Sequence, residues 1–227
     1  MVGGLPCVEH NYISGDVLKV FPCAIISKNI AEMKTISERE FERFLTDNNL
    51  QFEKIKEQSC RTPDYSVRFD TSKVFFEVKE LLEDENFKTE SLQVSHRIVG
   101  DHIRNKITSA RGQVQFGARQ GIPSVLLVYN NLDPIHLFGT EDLDFITAMY
   151  GEYTLNLDLQ SGNVLDSFHG KNRSLGTAKN TSFSALGRLY PVRARLAVTL
   201  FENAFAKLKL PFDSLPSCFE VKRVELT

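Results

Sequence analysis

The chain has 227 residues, 42% hydrophobic and 25% charged, an ordinary globular composition that bounds it to one domain or two small ones. Its formal charge of −2 gives no global attraction to nucleic acid or to an anionic membrane, so any such binding has to come from local clustering. No stretch approaches the roughly 18 apolar residues of a membrane span, and no basic segment followed by a long apolar run opens the chain, so the sequence predicts a soluble, cytoplasmic protein with no membrane partner.

Residues 1–34 carry Gly3-Gly4, Pro6, Gly15 and Pro22 around a short apolar run, Val17 to Ile26, and read as an N-terminal extension packed on the core, with one or two strands. Two helix starts of capping-box form follow, Thr35 with Glu38 or Ser37 with Glu40. Ile36, Phe41, Phe44, Leu45 and Leu50 then supply the apolar face of a helix ending near Asn48-Asn49. Gln51 to Glu57 predicts a strand, and Thr62 to Asp70 another, with Tyr65 and Val67 on one face and Asp64 and Ser66 on the other. Val74 to Leu81 carries the strongest strand signal: Val74, Phe76 and Val78 point one way, Phe75, Glu77 and Lys79 the other.

After an acidic, exposed stretch from Leu82 to Glu90, Ile103, Ile107, Ala110, Val114 and Ala118 repeat at helical spacing. Gly121-Ile122-Pro123 stops that helix before the apolar run Ser124 to Tyr129, a buried strand. The order is helix, three strands, helix, strand. Downstream, Glu141 to Tyr150 predicts a short helix and Tyr153 to Leu159 a strand, whereas Arg193 to Lys209 has a mixed pattern that assigns no single element.

Charge is segregated along this second half. Seven acids and no Lys or Arg occupy Gln120 to Gly170, and six bases and no acid occupy Lys171 to Phe201. The basic segment, with Phe183 and Tyr190 interleaved, could follow a phosphate backbone and stack on bases, or it could simply balance the acidic segment through surface pairs. Arg97, His102, Arg104, Lys106 and Arg111 form a second candidate surface for backbone contacts. Cys7, Cys23, Cys60 and Cys218 lie far apart without a C-x-x-C pair, which argues against zinc or a disulfide framework and predicts reduced, mostly buried thiols. The five histidines show no ligand spacing.

One group of residues suggests chemistry. Hydrolysing a phosphodiester requires neutralised phosphate charge and an activated water, and a divalent cation supplies both when a few carboxylates hold it with open positions. Asp64 and Glu77 suit that task, completed by one backbone carbonyl, that of Val78, because Mg²⁺ favours few protein carboxylates and retains waters. Lys79, two residues from Glu77 on the same strand face, could orient the attacking water or stabilise developing phosphate charge.

Thr62-Pro63-Asp64-Tyr65, a spacer of about a dozen residues, and Phe75-Phe76-Glu77-Val78-Lys79 resemble the signature of the PD-(D/E)XK nuclease superfamily, which includes restriction endonucleases and Holliday junction resolvases. The resemblance covers roughly residues 35 to 130. It implies an α/β fold with a restriction endonuclease-like core, a mixed central sheet flanked by helices, and N- and C-terminal additions. On this reading residues 35–135 form the nuclease core, and residues 136–227 are additions to the same domain that offer a substrate-binding surface. Glu38-Arg39-Glu40-Phe41 is similar to the first helix of archaeal-type junction resolvases, whose glutamate at the Glu38 position assists metal binding; the capping box offers Glu38 a structural role instead. Lys106, Ser109 and Gln113 share a face of the second helix, where exonuclease-like members place a functional Gln or Lys, and Gln113 is the preferred candidate.

The resemblance therefore implies a Mg²⁺-dependent nuclease, with Mn²⁺ as substitute, acting on DNA, with Asp64, Glu77, Lys79 and Gln113 as catalytic residues and Asp64, Glu77, Val78 and Glu38 as metal ligands. Many members cut both strands as homodimers, although no residue here identifies a dimer surface. Two other readings stand beside it: a non-catalytic nucleic-acid- or protein-binding module that retains the scaffold, and a hydrolase directed at RNA or nucleotides.

Overall fold

Thr35 opens the first helix. In the computed structural model, which describes residues 34–56, 60–70, 72–83, 97–132 and 138–224, the Thr35 hydroxyl accepts from the Glu38 N–H at 3.2 Å while the Glu38 carboxylate accepts from the Thr35 N–H at 2.8 Å. Of the two capping boxes legible in the sequence, this is the one that forms, and it starts α1 (Ile36–Asp47). Phe41, Phe44 and Leu45 recur on one side of α1 and are buried against the sheet.

The chain then runs through β1 (Gln51–Lys54), β2 (Tyr65–Phe69) and β3 (Ser72–Leu81), each antiparallel to the one before. β1 stops at Lys54, short of the Glu57 expected from the sequence, although the Ile55 N–H still donates to the Asp64 carbonyl at 2.8 Å. Helix α2 (Asp101–Arg119) carries the chain over the sheet to β4 (Ser124–Asn130), which lies parallel to β3 as a crossover connection requires. Every residue of β4 is buried, because helices cover both faces of the sheet there. The order helix, three strands, helix, strand is therefore present.

Helix α3 (Asp142–Tyr150) packs beside α2, and β5 (Tyr153–Leu157) pairs with β6 (Val164–His169) in a separate two-stranded ribbon that leaves Leu155, Leu157, Val164 and Leu165 exposed. The main sheet continues with β7 (Ala185–Val192) parallel to β4, then β8 (Arg195–Glu202) and β9 (Phe219–Lys222), giving the order β1-β2-β3-β4-β7-β8-β9. The fold is thus α/β, a mixed seven-stranded sheet flanked by helices. One core lies on the α1 side, built from Phe41, Tyr65, Phe76, Val78 and Phe219 among others; a second lies under α2 and α3, built from Ile107, Val114, Leu126, Phe145 and Phe201 among others. The chain divides into the units Met1–Met33 and Lys34–Thr227. The first, with the strands expected around Val17 to Ile26, lies outside the described residues, as does most of the acidic stretch after Leu82.

Burial bears on three expectations, and for Arg188 it favours balance of the acidic segment over phosphate contact. Phe183 is fully buried in the core beneath α2 and α3, so it offers no base-stacking face. Arg188, also buried, reaches Asp142 at 3.1 Å and the Thr140 carbonyl at 3.1 Å, which makes it a tie between β7 and the start of α3. Cys60 is exposed rather than buried.

Gly117 sets how closely α2 approaches the sheet. A Cβ at this position would overlap Ser124 Oγ on β4 and lie 2.9 Å from Phe75 Cδ2 on β3. Gly117→Ala is expected to cost about 1–3 kcal/mol by overpacking and to lower Tm by at least roughly 2–4 °C in a chain of this size. Thermal unfolding followed by circular dichroism checks this; an unchanged Tm would mean that α2 does not seat this tightly.

Candidate active site on the second and third strands

Register brings the two predicted carboxylates together. Tyr65 pairs with Phe76 and Ser66 with Phe75, so one step further along the same antiparallel ladder Asp64 stands opposite Glu77. Tyr65, Val67, Val74, Phe76 and Val78 all point into the core on the α1 side. Alternation therefore turns Asp64, Glu77 and Lys79 to the α2 side. The Asp64 carboxylate accepts the Val78 N–H at 2.7 Å, and Lys79 Nζ lies 2.6 Å from Glu77 Oε1. Glu77 is 1% exposed, and its other oxygen, Oε2, is buried with no hydrogen-bond partner. Asp64, Glu77 and Lys79 thus share one small region, as expected.

Helix α2 covers this region. Phe116 packs against Phe75 with ring centroids 6.3 Å apart. Gln113 lies one helical turn earlier, which on a helix antiparallel to β3 places it over the level of Glu77. Its Oε1 is likewise buried and unpartnered. Arg61, which the sequence did not single out, runs across α2 beside it: a Cβ on Gly112 would lie 2.7 Å from Arg61 Cδ, so glycine makes room for that side chain.

Glu38 is held differently. Besides capping α1, its carboxylate reaches Lys54 Nζ at 3.0 Å, so its oxygens are engaged on the α1 side. Burial raises the Glu38 carboxyl, but the Thr35 N–H and Lys54 together outweigh that and hold it below its usual range. Its charge reaches Asp64 through space rather than by contact.

The electrostatics at the carboxylate pair run the other way. Burial, followed by the charge of Asp64, pushes the Glu77 carboxyl up to about 8 despite the neighbouring Lys79 ammonium. Burial also raises Asp64, against the lowering effects of the Val78 N–H and Lys79. Two like charges facing each other away from water favour sharing one proton, and they would equally favour a divalent cation in its place. The donor set fits such an ion: the buried Glu77 carboxylate faces the half-buried Asp64, and one Glu77 oxygen is without a donor. Among the described residues no three His, Cys, Asp or Glu side chains gather to hold a metal alone, so backbone or water oxygens would have to complete the shell.

No family model, curated protein or solved structure matches the chain. Among the described residues, no helix is long and apolar enough to cross a membrane.

The second candidate surface is largely committed to the fold. Arg97 pairs with Asp144 at 2.5 Å and Glu141 at 2.8 Å and lies over the Phe138 ring, and Arg104 reaches the Asn172 carbonyl at 3.0 Å. His102 is buried, and Ser109 is exposed with its hydroxyl turned back to the Lys106 carbonyl. Arg111 remains exposed on α2.

Because the folded pKa of Glu77 lies above its ordinary value of 4.5, the folded chain keeps a proton that the unfolded chain has released. The resulting stabilisation is complete below about pH 4.5 and is lost as pH rises through about 8. In metal-free buffer Tm is therefore expected to fall over this window, and Glu77→Gln to remove most of the fall and raise Tm at pH 8 by at least roughly 2–4 °C. A Tm series in EDTA across this range, with parallel slopes for both proteins, would refute the buried carboxylate pair.

Proposed function

We propose that the chain is a metal-dependent nuclease of the PD-(D/E)XK type that hydrolyses phosphodiester bonds, with DNA as substrate. The observation that carries this reading is the position of Asp64 directly across the β2–β3 ladder from Glu77, with Lys79 in contact with Glu77. A PD…ExK pattern arising by chance on exposed strands would not bury its glutamate or aim both acids at one point. The element order α1, β1, β2, β3, α2, β4 is compatible with a restriction endonuclease-like core and supports the same reading.

Asp64 and Glu77 would hold Mg²⁺, with the Val78 carbonyl as a further oxygen; the bound ion would supply phosphate charge neutralisation and a more acidic water. The other roles belong to the chain. Lys79, tethered to Glu77, is placed to hold the attacking water by a hydrogen bond and to offset charge on the phosphate as it grows. Gln113, on the covering helix with its amide oxygen buried and unpartnered, would orient water or substrate. Glu38 contributes by its field and by fixing Lys54, as a positioning residue outside the carboxylate pair.

Supercoiled, linear, branched and single-stranded DNA, and RNA beside them, incubated with the protein and Mg²⁺ or Mn²⁺ provide the test. Asp64→Ala and Glu77→Ala should abolish cleavage, and Lys79→Ala should lower kcat by about 10²–10⁴, the usual scale for loss of a general acid or base. Equal cleavage by wild type and variants would remove the site, and cleavage of none of these substrates would point to a non-catalytic binding module.

A further inference from the structure

The face of β2 and β3 that carries the carboxylates continues toward the hairpin turn, where it changes sign. Successive cross-strand pairs on this face are Asp64 with Glu77, Ser66 with Phe75, and Arg68 with Lys73. Arg68 and Lys73 are both exposed and stand directly opposite each other. Like charges so placed destabilise a sheet, and folds generally put opposite charges in such positions. Neither side chain forms an ion pair among the described residues; Lys73 Nζ instead lies 5.2 Å over the Phe75 ring. Arg97 and Arg188, by contrast, are ion-paired with acids.

The two cations also border a hollow of about 520 Å³, lined in addition by Gln51, Glu53 and Ser66. The single acid, Glu53, faces Ser66 and leaves the lining with a net positive charge. Four residues along an antiparallel strand separate this pair from the carboxylates, or about 14 Å at roughly 3.4 Å per residue. A mononucleotide phosphate cannot occupy both places. A polynucleotide strand can, with one phosphate at the carboxylates and another at the cations.

We propose that Arg68 and Lys73 form a phosphate-binding subsite for the polynucleotide whose scissile phosphodiester lies at Asp64 and Glu77; this rests on the nuclease reading and names the substrate as a polymer. The unfavourable pairing of two cations is retained in the free protein and relieved when a phosphate lies between them. Ser66, between the two pairs, is largely buried and lines the same hollow.

Binding of a fluorescein-labelled oligonucleotide, single-stranded and duplex, is measured by anisotropy over a NaCl series in EDTA, so that no cleavage intervenes. Arg68→Ala/Lys73→Ala should weaken binding about tenfold or more and reduce the slope of log affinity against log salt by about 0.7–0.9, the value for one phosphate contact. Arg68→Lys/Lys73→Arg should restore the slope. Arg68→Glu, which creates an opposite-charge pair with Lys73, should match or exceed the wild-type Tm while binding falls. With Mg²⁺ or Mn²⁺, the double alanine variant should lose oligonucleotide cleavage but keep hydrolysis of the small diester bis(p-nitrophenyl) phosphate.

Unchanged affinity and slope in the double alanine variant, equal losses on polymer and small diester, or a binding loss that tracks a drop in Tm would each overturn the subsite. If the variant binds as wild type while Asp64→Ala abolishes cleavage, the subsite falls and the nuclease reading stands. If binding depends on Arg68 and Lys73 while Asp64→Ala cleaves normally, the reverse holds. A wild type that binds neither DNA nor RNA overturns both.

Discussion

The arrangement depends on one constraint, the antiparallel register between β2 and β3. Because Tyr65 is paired with Phe76, every residue whose number sums with its partner's in the same way is paired too, and the two acids face each other without a loop to steer them. The same register puts Tyr65, Val67, Val74, Phe76 and Val78 into the core on the α1 side. A slip of one residue would exchange the two sets, burying charge in an aromatic cluster and exposing Tyr65 and Phe76. Hydrophobic packing on one face therefore holds the carboxylates on the other, and it has to overcome their mutual repulsion.

The roof over the site depends on small residues where α2 meets its neighbours. Gly117 lets the helix sit against Phe75 and Ser124, and Gly112 leaves space for the stem of Arg61. With α2 that close, the Gln113 amide oxygen is buried without a partner, and Glu77 loses the water that would otherwise keep its carboxyl near an ordinary value. Unsatisfied buried polar atoms are rare in folded chains and are usually explained by function or by an ion or water. Here two of them are Glu77 Oε2 on β3 and Gln113 Oε1 on the helix that covers it.

Much of this was legible in the sequence, for identifiable reasons. The alternation from Val74 to Lys79 and the 3.6-residue repeat from Ile103 to Ala118 are strong periodic signals, and they fix which way Glu77 and Lys79 point. Residues brought together by tertiary contact were not legible. The choice between the two capping boxes is accompanied by the pairing of Glu38 with Lys54, on a different element. Arg61 meets α2 only because Gly112 is there. Strand β7 was missed because it contains Gly187 and Pro191, two residues that strands disfavour. A Cβ at Gly187 would lie 2.8 Å from both Leu200 Cδ2 and the Thr199 carbonyl, and Pro191 falls beyond the last residue of β7 that pairs with β4. The exposed ribbon β5–β6 has too little buried surface for its second strand to show a clean alternation.

The two halves of the carboxylate pair rest on unequal foundations. Glu77 lies within β3, which is bonded on both sides by β2 and β4. Asp64 lies one residue before β2, secured by the Ile55 N–H on its carbonyl and the Val78 N–H on its carboxylate, next to an edge strand of four residues. Strand ends beside short edges are where local opening begins, at a fraction of the free energy of global unfolding. A ligand that bridges both carboxylates would therefore act as a staple, tying the short edge of the sheet to its doubly bonded centre.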